Sequence, residues 1–280
     1  MTLKKSQIAL SNYPYFKYSL KYTFESLQRL GAHAIELYCC DPHFAIDDSG
    51  PIEAMNMKKE LKKHDLFPIC LTPDNCKYPI NIGSSNPVCR NRSVNYYKKV
   101  IQFANEFECP TVQFFAGFPT LDENYEDGWK RSVESLSILA DVAEAYGVQI
   151  TIEAADRILT VLYNTKKIHD MIIDVNSPNL FGMIDIACLV QTHETIDEAI
   201  ANITPEFVKH CHFSDAMADG SSIDHIVPGE GTFDLDHVLD AFDKIGYQGY
   251  FSLELMSPYE KVAEEVMSRG AAWMRAHFAD

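Results

Sequence analysis

Short runs of β-branched and aromatic residues recur along the chain at intervals of roughly 30 to 40 residues, as strands of repeated β–α units do. In the stretches between them, apolar residues repeat every three or four positions, which is the spacing of one helix face. This alternation predicts repeated β–α units. The predicted strands are Gln7–Ser11, Ala34–Tyr38, Phe67–Leu71, Thr111–Phe115, Val148–Glu153, Phe181–Ile186, Val208–Phe213 and Tyr250–Leu255.

Gly31, Gly147 and Gly246 stand where predicted helices end, and glycine tolerates the left-handed backbone of a helix C-cap. The even spacing of eight strands, without a change in composition, favours one closed (β/α)8 barrel over residues 1–280. No glycine-rich dinucleotide or phosphate motif follows the first strand, which argues against an open sheet. The predicted helices are Ser19–Leu30, Ile52–His64, Val94–Phe107, Trp129–Tyr146, Leu235–Ile245 and Tyr259–His277.

The charge balance restricts the partners. The 24 basic and 40 acidic side chains leave a net charge of -16, which repels nucleic acid and anionic lipid and suits a neutral or cationic small molecule. No apolar run approaches the ~20 residues needed to span a bilayer, and the N-terminus lacks the apolar core of a signal peptide. The eight cysteines form no C-x-x-C pair, so reduced thiols and a cytoplasmic location are expected.

Acidic residues lie at the ends of three of the last four predicted strands. Glu153 is the last residue of strand five, Asp185 and Glu254 are the residues before the last of strands six and eight, and His212 lies near the end of strand seven. The carboxyl ends of barrel strands meet at one face, where buried carboxylates would repel one another without a cation. A single acid at a strand end is more often a helix cap or an ion-pair partner. Three acids and a histidine near the ends of four successive strands instead predict a divalent metal site.

The donor set favours particular ions. Oxygen ligands with one imidazole suit Mn²⁺ best, and Mg²⁺, Co²⁺ and Zn²⁺ are alternatives. His210 shares a face of its strand with His212 but lies deeper, so it is expected to pack inside the barrel. Asp215 is a candidate for orienting the His212 ring or binding substrate. The candidate pocket walls are Tyr78, Phe115 and Trp129.

At these residues the chain resembles the xylose isomerase-like barrel superfamily, and within it the fructoselysine and ketose 3-epimerases. A His-x-x-Pro-Gly-x-Gly segment followed by a strand that ends in glutamate is typical of this superfamily. The matching segments are Leu71–Asn81, Met183–Ala187, His212–Asp215, His225–Gly231 and Gly246–Leu255.

The resemblance implies an activity and a set of roles. Glu153, Asp185, His212 and Glu254 match the metal ligands of ketose 3-epimerases, in which the two glutamates also form the acid–base pair. The implied reaction is epimerisation of a ketose or fructosamine by α-proton abstraction through an enediolate. His225 resembles a histidine that faces the site in relatives, and is a candidate catalytic residue.

Three departures keep another reaction open. The ketose epimerases have a histidine where this chain has Cys188, an arginine within the segment that here reads Ala216–Gly220, and a further acid after the position of Glu153. The alternative is a lyase that enolises a 3-oxo-C-glycoside or an inosose and then eliminates a group. We expect a homo-oligomer, or, for a C-glycoside deglycosidase, a complex with a small partner subunit. A DNA-repair endonuclease and a non-catalytic barrel are disfavoured by the negative charge and by the metal constellation.

Overall fold

Eight parallel strands form a closed barrel in which each strand pairs with its neighbours in chain order. The computed structural model describes residues 2–74, 80–222, 224–256 and 258–280. Each predicted strand overlaps an observed one, so the predicted fold class is confirmed. The strands are β1 (Ile8–Ser11), β2 (Ala34–Cys39), β3 (Phe67–Pro73), β4 (Thr111–Phe114), β5 (Gln149–Ile152), β6 (Leu180–Asp185), β7 (Val208–Phe213) and β8 (Tyr250–Leu253).

Helices surround the barrel and include all six that the sequence predicts. Three more, α5 to α7, lie on either side of β6 and before β7. No helix of the described residues is long and apolar enough to cross a membrane. The helices are α1 (Leu20–Arg29), α2 (Pro51–Lys63), α3 (Pro87–Glu106), α4 (Tyr125–Tyr146), α5 (Thr165–Val175), α6 (Ile186–Thr192), α7 (Ile196–Ile203), α8 (Leu235–Lys244) and α9 (Ala263–His277).

Local capping chemistry sets several helix ends. Helix α3 begins about two turns before its predicted start, because the Asn86 side chain caps the backbone N–H groups of Val88 and Cys89 and Pro87 fits the first helical position. The predicted C-cap glycines have positive φ angles of 69° at Gly31, 67° at Gly147 and 65° at Gly246. The prediction of left-handed caps is therefore confirmed.

Alternation along the strands separates two environments. In β2, Ile35 and Leu37 belong to the large apolar core between barrel and helices, whereas Glu36 does not. The opposite face of the barrel wall has a small apolar cluster of its own, which includes Ala9, Ala34, Ile69 and Cys70. The polar side chains near the carboxyl ends of the strands therefore stand on an apolar base inside the barrel.

The helices pack so closely on the barrel at Gly182 in β6 that a larger residue does not fit there. A Cβ atom there would lie 2.6 Å from Cγ2 of Ile168 and 2.9 Å from Cγ2 of Ile203, both of which are fully buried. We expect Gly182→Ala to lower the free energy of unfolding by about 1–3 kcal/mol, the usual cost of overpacking. Chemical denaturation measures this, with Gly50→Ala as the control because its Cβ would meet only the carboxylate of Glu53, at 3.2 Å. Equal stability of the two variants would contradict the prediction.

Candidate active site

The four predicted metal ligands converge at the carboxyl end of the barrel. Glu153 directly follows β5, Asp185 is the last residue of β6, His212 lies in β7 and Glu254 directly follows β8. All four are buried, with exposed fractions between 2% and 6%. They line one cavity, which His225 also lines.

The ring of His212 faces the three carboxylates. Its Nδ1 atom lies 3.0 Å from Oε2 of Glu254, 3.7 Å from Oδ2 of Asp185 and 3.8 Å from Oε1 of Glu153. This buried Nδ1 nevertheless makes no hydrogen bond of normal geometry with any part of the chain that the structure describes. An imidazole nitrogen surrounded by carboxylate oxygens is a donor set that fits a divalent cation.

Burial and mutual charge dominate the electrostatics of this cluster. Burial raises the pKa of Glu153 well above its usual range, and the neighbouring Asp185 and Glu254 raise it further. Burial acts to lower the pKa of His212, but the Glu254 and Glu36 carboxylates outweigh it and hold this pKa well above its usual range. The negative charges thus draw protons into the site, and a cation would relieve the same repulsion.

Asp185 serves two structural purposes at once. Its Oδ1 caps helix α6 by accepting hydrogen bonds from the backbone N–H groups of Ala187 at 2.7 Å and Cys188 at 3.2 Å. Its Oδ2 accepts a hydrogen bond from Nε2 of His225 at 3.0 Å. Asp185 is therefore a helix cap, as a single acid at a strand end often is. The cap uses only Oδ1, so Oδ2 remains directed at the site.

His225 reaches the cluster from the loop between β7 and α8. Its Nε2 lies 3.3 Å from Oε2 of Glu254 as well as near Asp185. The Asp185 and Glu254 carboxylates outweigh the effect of burial, so the pKa of His225 is held well above its usual range. The structure thus brings His225 together with the four predicted ligands.

Glu153 also has partners on β4 and on helix α6. Nε2 of Gln113 in β4 donates to Oε2 of Glu153 at 2.7 Å. The thiol of Cys188 lies 3.8 Å from Oε1 of the same carboxylate. Cys188 also lines the cavity.

Of the predicted pocket walls, Phe115 lines the cavity. Trp129 does not, because it lies in helix α4, where its Nε1 donates to Asp174. Tyr78 lies outside the described residues. Two aromatic residues that were not predicted as pocket walls, Tyr13 and Tyr38, also line the cavity. Their rings stack with centroids 4.0 Å apart.

The proposed roles of Asp215 are not supported by its contacts. Its carboxylate accepts hydrogen bonds from the backbone N–H groups of Gly229, Gly231 and Phe233, at 3.0, 2.9 and 3.2 Å. It is not among the residues that line the cavity. Asp215 instead organises the loop that carries His225, because an acid buried beside a tight turn can satisfy several N–H groups at once.

Glu36 is a further residue near the site that the sequence analysis did not predict. It lies in β2 and is 3% exposed, and its carboxylate binds both His210 and His212. His210 is buried inside the barrel, as predicted. The sequence did contain a signal, because Glu36 is the single charged residue of an otherwise apolar strand. A charged side chain is almost never fully buried unless it is paired, so a buried partner could have been predicted.

Comparison with known proteins agrees with this geometry. Residues 24–277 match the model of the xylose isomerase-like TIM barrel family, so the chain belongs to that family. Fructoselysine 3-epimerase of Shigella flexneri is 26% identical over 242 residues, covering 86% of each chain.

Solved structures share the fold at lower identity. The D-psicose 3-epimerase of Clostridium cellulolyticum H10 with D-tagatose superposes with a TM-score of 0.79 at 19% identity, over 96% of this chain and 98% of that one. The IOLI protein with a bound zinc atom gives a TM-score of 0.80 at 20% identity, over 97% of this chain and 98% of that one. The chain is thus related to sugar epimerases and isomerases.

The loop role of Asp215 can be tested by Asp215→Asn. One carboxylate oxygen becomes an NH2 group that cannot accept the N–H bonds, so we expect a loss of about 1–3 kcal/mol of stability. Hydrogen exchange should show faster exchange of the Gly229 and Gly231 amides. Asp224→Asn is the control, because this acid lies in the same loop but is exposed, and among the described residues its carboxylate accepts a hydrogen bond from Ser222 alone. Unchanged amide protection in Asp215→Asn would show that the carboxylate does not hold the loop.

Proposed function

We propose that this protein is a divalent-metal-dependent sugar epimerase or isomerase that removes a proton α to a carbonyl group. The observation that carries the proposal is the buried Nδ1 of His212, which has no hydrogen bond of normal geometry among the described residues and faces three buried carboxylates. Membership of a family that includes sugar epimerases and isomerases supports the same reaction class.

Glu153, Asp185, His212 and Glu254 would hold the cation, and we propose Mn²⁺ as the preferred ion. When bound, the ion supplies a positive charge that favours the enediolate form of the substrate over its keto form. Asp185 is suited mainly to holding the ion, because its other oxygen is committed to the cap of α6. His212 is likewise suited to holding it, through a neutral nitrogen.

The two glutamates are suited to moving protons. Glu153 follows β5 and Glu254 follows β8, and β6 and β7 separate these strands in the barrel. Their carboxylates can therefore flank a substrate from two sides. In the proposed mechanism Glu254 removes the α-proton and Glu153 acts as the acid, or returns a proton to the opposite face. His225, within 3.3 Å of Glu254, is the next candidate for the base.

A lyase reaction is the second candidate, because enolisation is also the first step of β-elimination. The cavity favours it in one respect: its lining includes the apolar side chains of Phe115, Leu159 and Met256, and the described lining residues include no lysine or arginine. Such a wall accepts a bulky apolar substituent better than a charged one. Incubation with ketoses and with 3-oxo-glycosides separates the reactions, because only a lyase releases the aglycone.

The acid–base roles can be tested by Glu254→Gln and Glu153→Gln. Each variant keeps one oxygen for the cation but loses its proton acceptor, so turnover should fall by ~10²-fold or more. Incorporation of solvent deuterium into a ketose substrate at saturating Mn²⁺ is the measurement. Glu230→Gln is the control, since Glu230 lies outside the cavity in an ion pair with Arg269. If Glu254→Gln exchanges the α-proton as fast as wild type, Glu254 is only a ligand.

Asp185→Asn should behave differently from the two glutamate variants. Its main defect should be weaker metal binding, so added Mn²⁺ should restore part of the activity. The measurement is activity as a function of Mn²⁺ concentration. A variant with normal metal affinity and a low maximal rate would place Asp185 in the chemical step instead.

Removal of metal tests the proposal as a whole. Thorough treatment with a chelator should abolish deuterium exchange, and back-titration should restore it, with Mn²⁺ most effective. Mg²⁺, Co²⁺ and Zn²⁺ are titrated in parallel to rank the ions. Full activity in chelated protein, with metal content checked by elemental analysis, would disprove metal dependence.

A further inference from the structure

A buried carboxylate beneath the cavity has no part in the proposed metal binding or proton transfer. Glu36 in β2 accepts a hydrogen bond from Nε2 of His212 at 2.8 Å through Oε1, and from Nε2 of His210 at 2.7 Å through Oε2. The hydroxyl of Thr72 in β3 also donates to Oε1. Three strands of the barrel therefore meet at this one side chain.

The contact with Glu36 decides which nitrogen of His212 faces the site. An imidazole ring that donates from Nε2 keeps its lone pair on Nδ1 when it is neutral. That Nδ1 is the atom directed at Glu153, Asp185 and Glu254. A carboxylate behind a metal-binding histidine fixes the ring and strengthens it as a ligand.

His210 restricts Glu36 in turn. The two imidazole rings are 5.3 Å apart and nearly perpendicular, at 84°, and each uses a different oxygen of the carboxylate. Rotation of the carboxylate toward one ring would break its bond with the other. His210 therefore keeps Glu36 in the orientation that His212 requires.

A second cation beneath the site is a less suitable explanation. Ligand atoms of Glu36, Cys70 and His210 lie within 4.8 Å of one another. Both oxygens of Glu36 are already occupied by imidazole N–H groups, however, and the Cys70 thiol is directed at the backbone oxygen of Leu71. The cluster is internally hydrogen-bonded, so it needs no ion to compensate it.

We propose that Glu36 is a positioning residue that binds Nε2 of His210 and His212 and so holds Nδ1 of His212 toward the cation site. The proposal rests on the proposed metal-dependent function. It assigns a role to a carboxylate on β2, which is distant in sequence from the proposed ligands, and it gives both alternating histidines of β7 a partner.

The central experiment is Glu36→Gln, with metal affinity measured by calorimetric titration of metal-free protein. The glutamine NH2 group must face one of the two imidazole N–H donors, so one contact is lost. We expect Co²⁺ affinity to fall about 10–100-fold, the usual effect of removing such a partner. Mg²⁺ affinity should fall less, because Mg²⁺ depends less on imidazole. Thr151→Val is the control: Thr151 is buried in β5, but within the described parts of the chain its hydroxyl bonds only the backbone oxygen of Val112.

A double-mutant cycle separates positioning from a general structural effect. In a His212→Ala background, Glu36→Gln should change Co²⁺ affinity no further, because the residue through which it acts is gone. An equal loss in both backgrounds, or wild-type affinity in Glu36→Gln, would overturn the proposal. Wild-type protein that binds neither Co²⁺ nor Mg²⁺ would instead refute the proposed function.

A measurement on the unmodified metal-free protein covers the case in which Glu36→Gln fails to fold. Nitrogen-15 NMR of the histidine side chains should show protected, slowly exchanging protons on Nε2 of both His210 and His212. A bare Nε2 on His212, with the proton on Nδ1 alone, would overturn the proposal without any substitution.

Discussion

The compensation of buried charge is the constraint on which the rest of this site depends. Glu36, Glu153, Asp185 and Glu254 are almost fully buried at one end of the barrel. Burying even one unpaired carboxylate costs several kcal/mol. The described residues offset this with the imidazoles of His210, His212 and His225, with the Gln113 amide and with backbone N–H groups at the start of α6. The Nδ1 atom of His212 is left facing the carboxylates, which is where a cation fits.

The barrel supplies the rigidity that this arrangement needs. Except for His225, each of these side chains lies on a strand or directly after one. Neighbouring strands are held in a fixed register, with Asp185 opposite His212 and His212 opposite Ser252. Carboxylates on flexible loops could move apart and so reduce their repulsion. Carboxylates at the ends of barrel strands cannot, because each strand is hydrogen-bonded to a neighbour on both sides.

The parts of the site that differ from the ketose epimerase pattern lie on loops and at helix starts. Cys188 is in the first turn of α6, and the residues after His212 lead into the loop that Asp215 organises. Such positions can change without altering strand register, which is how one barrel supports several reactions. We therefore propose that the residues at the strand ends set the class of chemistry and that these neighbouring positions select the substrate.

The sequence by itself determined the class of fold and the four candidate ligands. Period-two and period-3.6 hydrophobicity is a local property, and the position of Glu153, Asp185, His212 and Glu254 at strand ends follows from it. Only the tertiary structure showed that Glu36 pairs with His210 and His212, because β2 and β7 are far apart in sequence and their contact depends on barrel closure. The structure also showed that Asp215 accepts hydrogen bonds from backbone N–H groups of its own loop and none from the His212 ring. Spacing along the chain does not distinguish between these nearby partners.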